Sequence, residues 1–537
     1  MLSGFNGCGS SSSDPGSGKD LAVPSIESPA CGDTLIWSVN TGFQTLNPLI
    51  ASDSVSLGFC TLFYDSLLKL DYSSQLSACL AETWEVSADR RVIVFRLKQG
   101  VTWHDGKPFT ASDVAFNLRL IESGKSPAAR FFTCIDTFEV TDRYTLTVRL
   151  NSPSYSVFQL FLLPLVAQNA LNPDDFFASE EMFQPVGTGP FIVQEFIKDE
   201  KIELIANKSY HDGRPYLDRI LIRIIPSQSS IFNLLKTHET DLAELTLDQF
   251  LKQADTDVFR SYYNLYNDRN SFVYTFVGWN LTHSLLSRLE VRKAISYAVD
   301  RERMCREALM GFHEPMNGPY PEYFVSYDNS LPKPEFNVKK AREILAGEGF
   351  SDSDGDGILE LEENELRFTV LVIASAEKYL LTAQFLASSL EQIGCRMEII
   401  RLPYEEIMQR VMQRKFDSFI LNYTYAFDYN LRSLWHSSMI PSETNGYRGF
   451  NVMGYTNPEL DQLIDEMDQS FDQKRRDSIY REMQKIVTSD QAQLFLYMKD
   501  APVAVDKRFR NVHQDGLSRL HRVTRWYVPE ALQKYRE

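Results

Sequence analysis

Metal and catalytic signatures are scarce in this chain of 537 residues. Its seven cysteines form no C-x-x-C pair, which argues against zinc of the knuckle type. Its eight histidines lack H-x-x-x-H spacing, and no G-x-S-x-G or P-loop string occurs. Gly187-Thr188-Gly189 is too short for a dinucleotide fingerprint. An enzyme reading, such as a secreted hydrolase, has no nucleophile or paired acids to rest on, so none is expected. Apolar runs are also short of the roughly 20 residues that span a bilayer. The longest, Val157 to Leu171, is broken by Gln159, Pro164 and Gln168 and reads as buried core. Basic charge is in deficit: 55 Lys and Arg against 72 Asp and Glu give −17. Phosphate backbones are repelled, so nucleic acid is not an expected partner, whereas a cationic or zwitterionic ligand fits.

What is present supports large packed cores. A 43% apolar fraction over 537 residues exceeds what one core usually holds, and suggests about two to four lobes. The first 33 residues differ. Cys8 is followed by Gly9, four serines and Asp14-Pro15-Gly16-Ser17-Gly18, a polar tether that cannot pack. Bacterial lipoproteins look like this just after their lipidated cysteine, which makes Cys8 the lipidation candidate. Yet Met1 to Gly7 lacks the apolar and basic regions of a signal peptide. Either the start is truncated or Cys8 is an ordinary cysteine. The other six, Cys31, Cys60, Cys79, Cys134, Cys305 and Cys395, are open to disulfides or to burial as small apolar groups.

Helices and strands alternate throughout, which predicts an α/β architecture. The opening from Thr34 to Leu70 reads as rich in strand. Strands are also predicted at Val92 to Leu97, with Ile93, Phe95 and Leu97 inward, and at Tyr144 to Leu150, Ile220 to Ile225 and Leu366 to Ile373. Helices are predicted over Leu289 to Leu309 and Val338 to Ala346, behind a Thr456 cap through Met467, and through Ile479 to Val487. Thr110-Ala111-Ser112-Asp113 is a capping box.

The stretch Leu80 to Val114, LAETWEVSADRRVIVFRLKQGVTWHDGKPFTASDV, resembles a signature run of the family 5 extracellular solute-binding proteins, the dipeptide and oligopeptide receptors of bacterial ABC importers. Three further blocks agree in order. They are Pro185 to Phe191 (P-V-G-T-G-P-F), Asn207 to Asp218 (N-x-x-Y-x-x-G-x-P-x-L-D) and Val291 to Arg301 (V-R-x-A-I-x-x-A-V-D-R). Thr456 to Asp461 and Arg475-Arg476 follow, and the likeness covers about residues 34 to 515.

The resemblance implies a three-lobed periplasmic-binding-protein-like α/β fold (class II, cluster C type) with a hinged ligand cleft. Lobe I would comprise 34–62, 187–285 and 505–537, lobe II 63–186, and lobe III 286–504, behind a disordered tether 1–33. It implies a monomeric receptor that captures peptides by lobe closure and delivers them to ABC permease subunits. Its place would be extracytoplasmic, on a Gram-positive cell surface or in a periplasm, touching the membrane only through a lipid anchor. An oligosaccharide, nickel chelate or other small solute is the alternative ligand. The resemblance implies no cofactor.

It also implies site residues. Asp428-Tyr429-Asn430, with Tyr425 just before, matches a third-lobe D-Y-N segment whose aspartate pairs with the peptide ammonium in oligopeptide receptors. Here Leu431-Arg432 replaces the E-P that follows. Trp279-Asn280 ends a strand that faces ligand in that family, and Tyr64 sits in its "l-YD-L" segment near the cleft. Core packing is the competing reading for both aromatics. Separately, Asp352, Asp354, Asp356 and Glu363 satisfy the D-x-D-x-D-G-x5-E calcium pattern. That loop is either a hairpin turn or a structural calcium site. His104-Asp105-Gly106 and His211-Asp212-Gly213 look like a repeated metal or acid/base element but read as turns.

Overall fold

The computed structural model describes residues 28–43, 45–51, 54–71, 75–168, 185–311, 313–424, 431–442, 449–512 and 523–535. Cys8 and most of the tether lie outside them. One sheet organises the molecule. From one edge, its strands run Arg396–Leu402, Arg367–Ile373, Ser418–Thr424, Tyr263–Trp279, Gln493–Asp506, Leu242–Glu244, Thr34–Val39, Arg219–Ile224, Lys201–Ala206 and Phe191–Ile197. The short strand Glu314–Pro315 attaches to Gln493–Asp506. A separate four-stranded antiparallel sheet contains Ala81–Val86, Val92–Leu97, Thr145–Leu150 and Ile135–Asp142, in that order.

The alternation in Val92–Leu97 emerges as expected: Ile93, Phe95 and Leu97 are buried, while Arg96 faces water. Arg219–Ile224 pairs on both edges, parallel to Thr34–Val39 and antiparallel to Lys201–Ala206, which explains its near-continuous apolar run. Asp113 reaches back to the Thr110 amide at 2.8 Å at the start of helix Ala111–Glu122. The described part of the Val157 run is core, and no helix among the described residues is long and apolar enough to cross a membrane.

Three expectations need correction. The opening to Leu70 is less strand-rich than predicted, since it includes helix Ser54–Cys60. The helix over Leu289 to Leu309 breaks: Leu289–Ala298 ends at an extended Val299, and Asp300 starts a new turn by accepting the Arg303 amide at 2.8 Å. Local capping chemistry overrides the apolar stripe there. The cap of helix Pro458–Gln469 is Asn457, whose side chain accepts from the Glu459 and Leu460 amides at 3.0 and 3.1 Å, and Thr456 stands one residue outside.

Tyr263–Trp279 and Gln493–Asp506 are the longest strands. They pair antiparallel from Tyr263↔Asp506 to Gly278↔Gln493, with a register shift between Arg269 and Tyr274. One end of the pair packs beside the Leu242 strand; the other packs between two apolar clusters built around Trp279 and Trp435. At the first end a buried ionic group ties the framework together. Arg508 binds Asp33, Asp241 and Asp506 and donates to the Thr34 carbonyl at 3.0 Å. Each carboxylate has a guanidinium partner, as burial of charge requires.

Candidate functional site

The middle of the long strand pair is where the large sheet changes neighbours. Strand Ser418–Thr424 joins Tyr263–Trp279 there, with Thr424 opposite Val273, within the register shift between Arg269 and Tyr274. The described part of this segment ends at Thr424. The flanking surface combines rings and amides. Tyr423 packs 5.7 Å from Tyr274 and shares a hydrogen bond with the Ser433 hydroxyl at 3.2 Å. The exposed Asn422 accepts from Thr275 at 2.7 Å. Tyr274 and Thr275 are buried, so the accessible polar and ring surface here belongs to Asn422 and the half-buried Tyr423.

Asp428, Tyr429, Asn430 and Tyr425 lie outside the described residues. Trp279 is 1% exposed and meets Phe368 edge-on at 6.0 Å. Asn280 is buried and donates to the Phe416 carbonyl at 2.8 Å while its Oδ1 accepts from Thr282. Tyr64 is 1% exposed, against Phe63. In this structure all three serve packing and backbone satisfaction, because their positions at strand or turn ends face the core and not open space. The calcium loop also differs from its pattern. Asp352, Asp354 and Asp356 cluster with Glu360, whereas Glu363 is exposed in the connection between Glu360–Leu361 and Asn364–Glu365. A hairpin, not a helix, follows the loop, so the twelfth position is carried away. The carboxylates accept turn amides instead: Gly355 to Asp352 at 2.8 Å, Asp356 to Asp354 at 3.1 Å and Ser353 to Glu360 at 2.9 Å.

A polar cluster that sequence reading missed surrounds Asp65. Its Oδ2 accepts from His211 Nε2 at 2.9 Å and from the Thr188 hydroxyl at 3.2 Å. Its Oδ1 accepts from the Tyr210 hydroxyl at 3.1 Å and from the Cys79 thiol at 3.8 Å. Burial, reinforced by the Asp65 charge, pushes both the Tyr210 hydroxyl and the Cys79 thiol well up, so both stay protonated donors. The partners come from positions 14 to 146 residues away. The available signals were the aspartate next to Tyr64 and the second His-Asp-Gly turn. All six cysteines from Cys31 to Cys395 are free, with Cys60, Cys79, Cys305 and Cys395 buried.

The family model for bacterial extracellular solute-binding proteins, family 5 Middle, matches residues 75–438, and the chain belongs to that family. Over 519 residues the chain is 24% identical to the oligopeptide-binding protein AppA of Bacillus subtilis (strain 168), covering 93% of this chain and 92% of that one. The structure of AppA from Bacillus subtilis in complex with a nonapeptide superposes with a TM-score of 0.73 at 23% identity, over 93% of this chain and all of that one. NikA from Brucella suis in complex with Fe(III)-EDTA gives 0.81 at 20% identity, over 92% and 99%. These likenesses fix the multi-lobed binding-protein fold.

Proposed function

We propose that this family 5 solute-binding protein is the extracytoplasmic receptor of an ABC importer, that it captures peptides and hands them to a membrane permease, and that it catalyses no reaction. The similarity to an oligopeptide-binding protein along 93% of the chain is the observation that carries this reading. Closure would bend the long strand pair near its register shift, bringing lobe III (286–504) toward lobes I and II, whose proposed limits are those given above. The receptor would act as a monomer, tethered through Cys8 by lipid. No resident cofactor enters the capture step.

Within this reading Asp428 pairs with the free ammonium of the peptide, supported by the D-Y-N match and by its place in the chain, four residues after strand Ser418–Thr424. A desolvated charge on the ligand needs such a partner. Loss of one member of a buried pair costs about 2 to 5 kcal/mol, or about 30-fold and upward in dissociation constant. Calorimetry of refolded, ligand-stripped protein against pooled peptides, sugars and metal chelates tests the ligand class, and peptides are expected to bind. Asp428→Asn should then weaken a free-amine peptide by at least the 30-fold limit while an N-acetylated peptide, already weak, loses little more. Equal binding of acetylated and free peptides by the parent protein removes Asp428 from this role. Heat from sugars or chelates alone replaces the peptide reading.

A further inference from the structure

We infer that Asp65, Cys79 and His211 form a site for one thiophilic divalent cation of the zinc class, held by carboxylate, thiolate and imidazole. The three ligand atoms lie within 4.8 Å of one another, on side chains that are buried or nearly so. Oxygen, nitrogen and sulfur donors together suit zinc, which is bound by all three at about 2.0 to 2.3 Å. Tetrahedral bonds of that length separate ligand atoms by about 3.3 to 3.7 Å. The Cys79 sulfur lies 3.8 Å from Asp65 Oδ1 and His211 Nε2 lies 2.9 Å from Asp65 Oδ2, so the carboxylate must turn to offer one oxygen and the histidine must move back by about half an ångström.

A second observation points the same way. His211 has a side chain only 8% exposed, yet its Nδ1 has no hydrogen-bond partner. Coordination through Nε2 exchanges its hydrogen bond to Asp65 for the cation, and the ring proton moves to Nδ1, where no existing bond need break. No Lys or Arg forms an ion pair with the Asp65 carboxylate among the described residues, in contrast to the Arg508 group. Cation entry expels the Cys79 thiol proton to solvent, leaving thiolate and carboxylate charge balanced by the divalent ion. The bound ion joins three segments: the chain after helix Ser54–Cys60, the link between strands Leu76–Ala78 and Ala81–Val86, and the turn before strand Arg219–Ile224.

The test uses the full chain with Cys8→Ser and Cys31→Ser, which removes the tether thiol and the exposed one, stripped with chelator under reducing conditions. Titration with cobalt(II) should raise a thiolate-to-cobalt charge-transfer band that saturates at one equivalent and is displaced by zinc. Cys79→Ser should abolish the band, and His211→Gln should weaken cobalt binding by at least about tenfold with the far-ultraviolet circular dichroism unchanged. If Cys79→Ser fails to fold, the His211→Gln titration decides alone. No band in the parent protein, a band that survives Cys79→Ser, or undiminished affinity in His211→Gln overturns the site.

Discussion

The chain uses the tripeptide His-Asp-Gly twice, and the two turns do different chemistry at nearly the same place. Gly106 and Gly213 match in backbone: φ is +82° and +94°, each with open space where a Cβ would stand. Both therefore sit in the left-handed region for conformational reasons. The histidines diverge. His104 accepts the Gly187 amide at Nδ1 (3.3 Å) and reaches the Gly189 carbonyl with Nε2 (3.0 Å), so both nitrogens are satisfied by backbone as a neutral ring. His211 reaches a carboxylate instead, Asp65, and leaves Nδ1 without a partner. One histidine is a fixed strut, and the other is a group with unused bonding capacity. Identical local sequence sets the turn; what faces it sets the function.

Both turns grip the segment Gly187-Thr188-Gly189, directly through His104 and through Asp65 and Thr188 for His211. The largest effect should come from breaking that shared anchor. A Cβ on Gly187 would lie 1.7 Å from the Phe63 carbonyl oxygen, and one on Gly189 2.5 Å from the Phe63 carbonyl carbon. Backbone cannot retreat as a flexible side chain can. Gly187→Ala should cost more than about 4 kcal/mol in chemical denaturation, or leave no folded protein. Gly213→Ala meets only the left-handed penalty, about 1 to 2 kcal/mol. Similar losses in the two variants would refute the distinction between steric and conformational glycines.

Next comes the anchor of the His211 turn alone. Asp65→Asn replaces an acceptor of four hydrogen bonds by an amide whose NH2 must face two donors, either Thr188 and His211 or Tyr210 and Cys79. Stranding buried donors costs about 1 to 3 kcal/mol. Denaturant titration should show a loss in that range, with an unchanged m-value. A neutral result would mean that the Asp65 cluster holds no net stability and that the two turns are equivalent supports.

The contrast also marks how far sequence reasoning reaches. Strand Val92–Leu97 was legible because its period of two survives into burial, and the glycine-rich block because its residues recur in a family pattern. Asp65 was passed over in favour of its neighbour Tyr64, although the aspartate makes the bonds and the tyrosine packs. Arg508 escaped notice for a related reason: its partners Asp33 and Asp241 are 475 and 267 residues away. Periodicity reports which face is buried, but a polar network is assembled by topology, and spacing along the chain does not encode it. Trp279 illustrates the converse, since a family position near a cleft proved to be a core ring in this structure.

The smallest expected effect separates the two histidines by pH. Burial holds His104 below the usual imidazole range, outweighing the bond to the Gly189 carbonyl and the charges of Asp65 and Asp105. Protonation would place a proton on Nδ1, the atom that already accepts the Gly187 amide, and so turn a hydrogen bond into a donor facing a donor. Because the folded-state value is depressed, the unfolded chain takes up the proton first. Stability from His104 is therefore fully present above about pH 6.5 and declines as the pH falls through that value, levelling off below the folded-state value. Between pH 7 and 5.5 one such group contributes at most about 1 kcal/mol, less where solvent screens the ring. His104→Gln keeps an acceptor and a donor but does not titrate, so it should flatten that part of the stability profile relative to the parent. His211→Gln serves as the control and should leave the His104 segment of the profile in place. If His104→Gln and the parent protein show the same slope between pH 7 and 5.5, the neutral-strut account of the first turn fails.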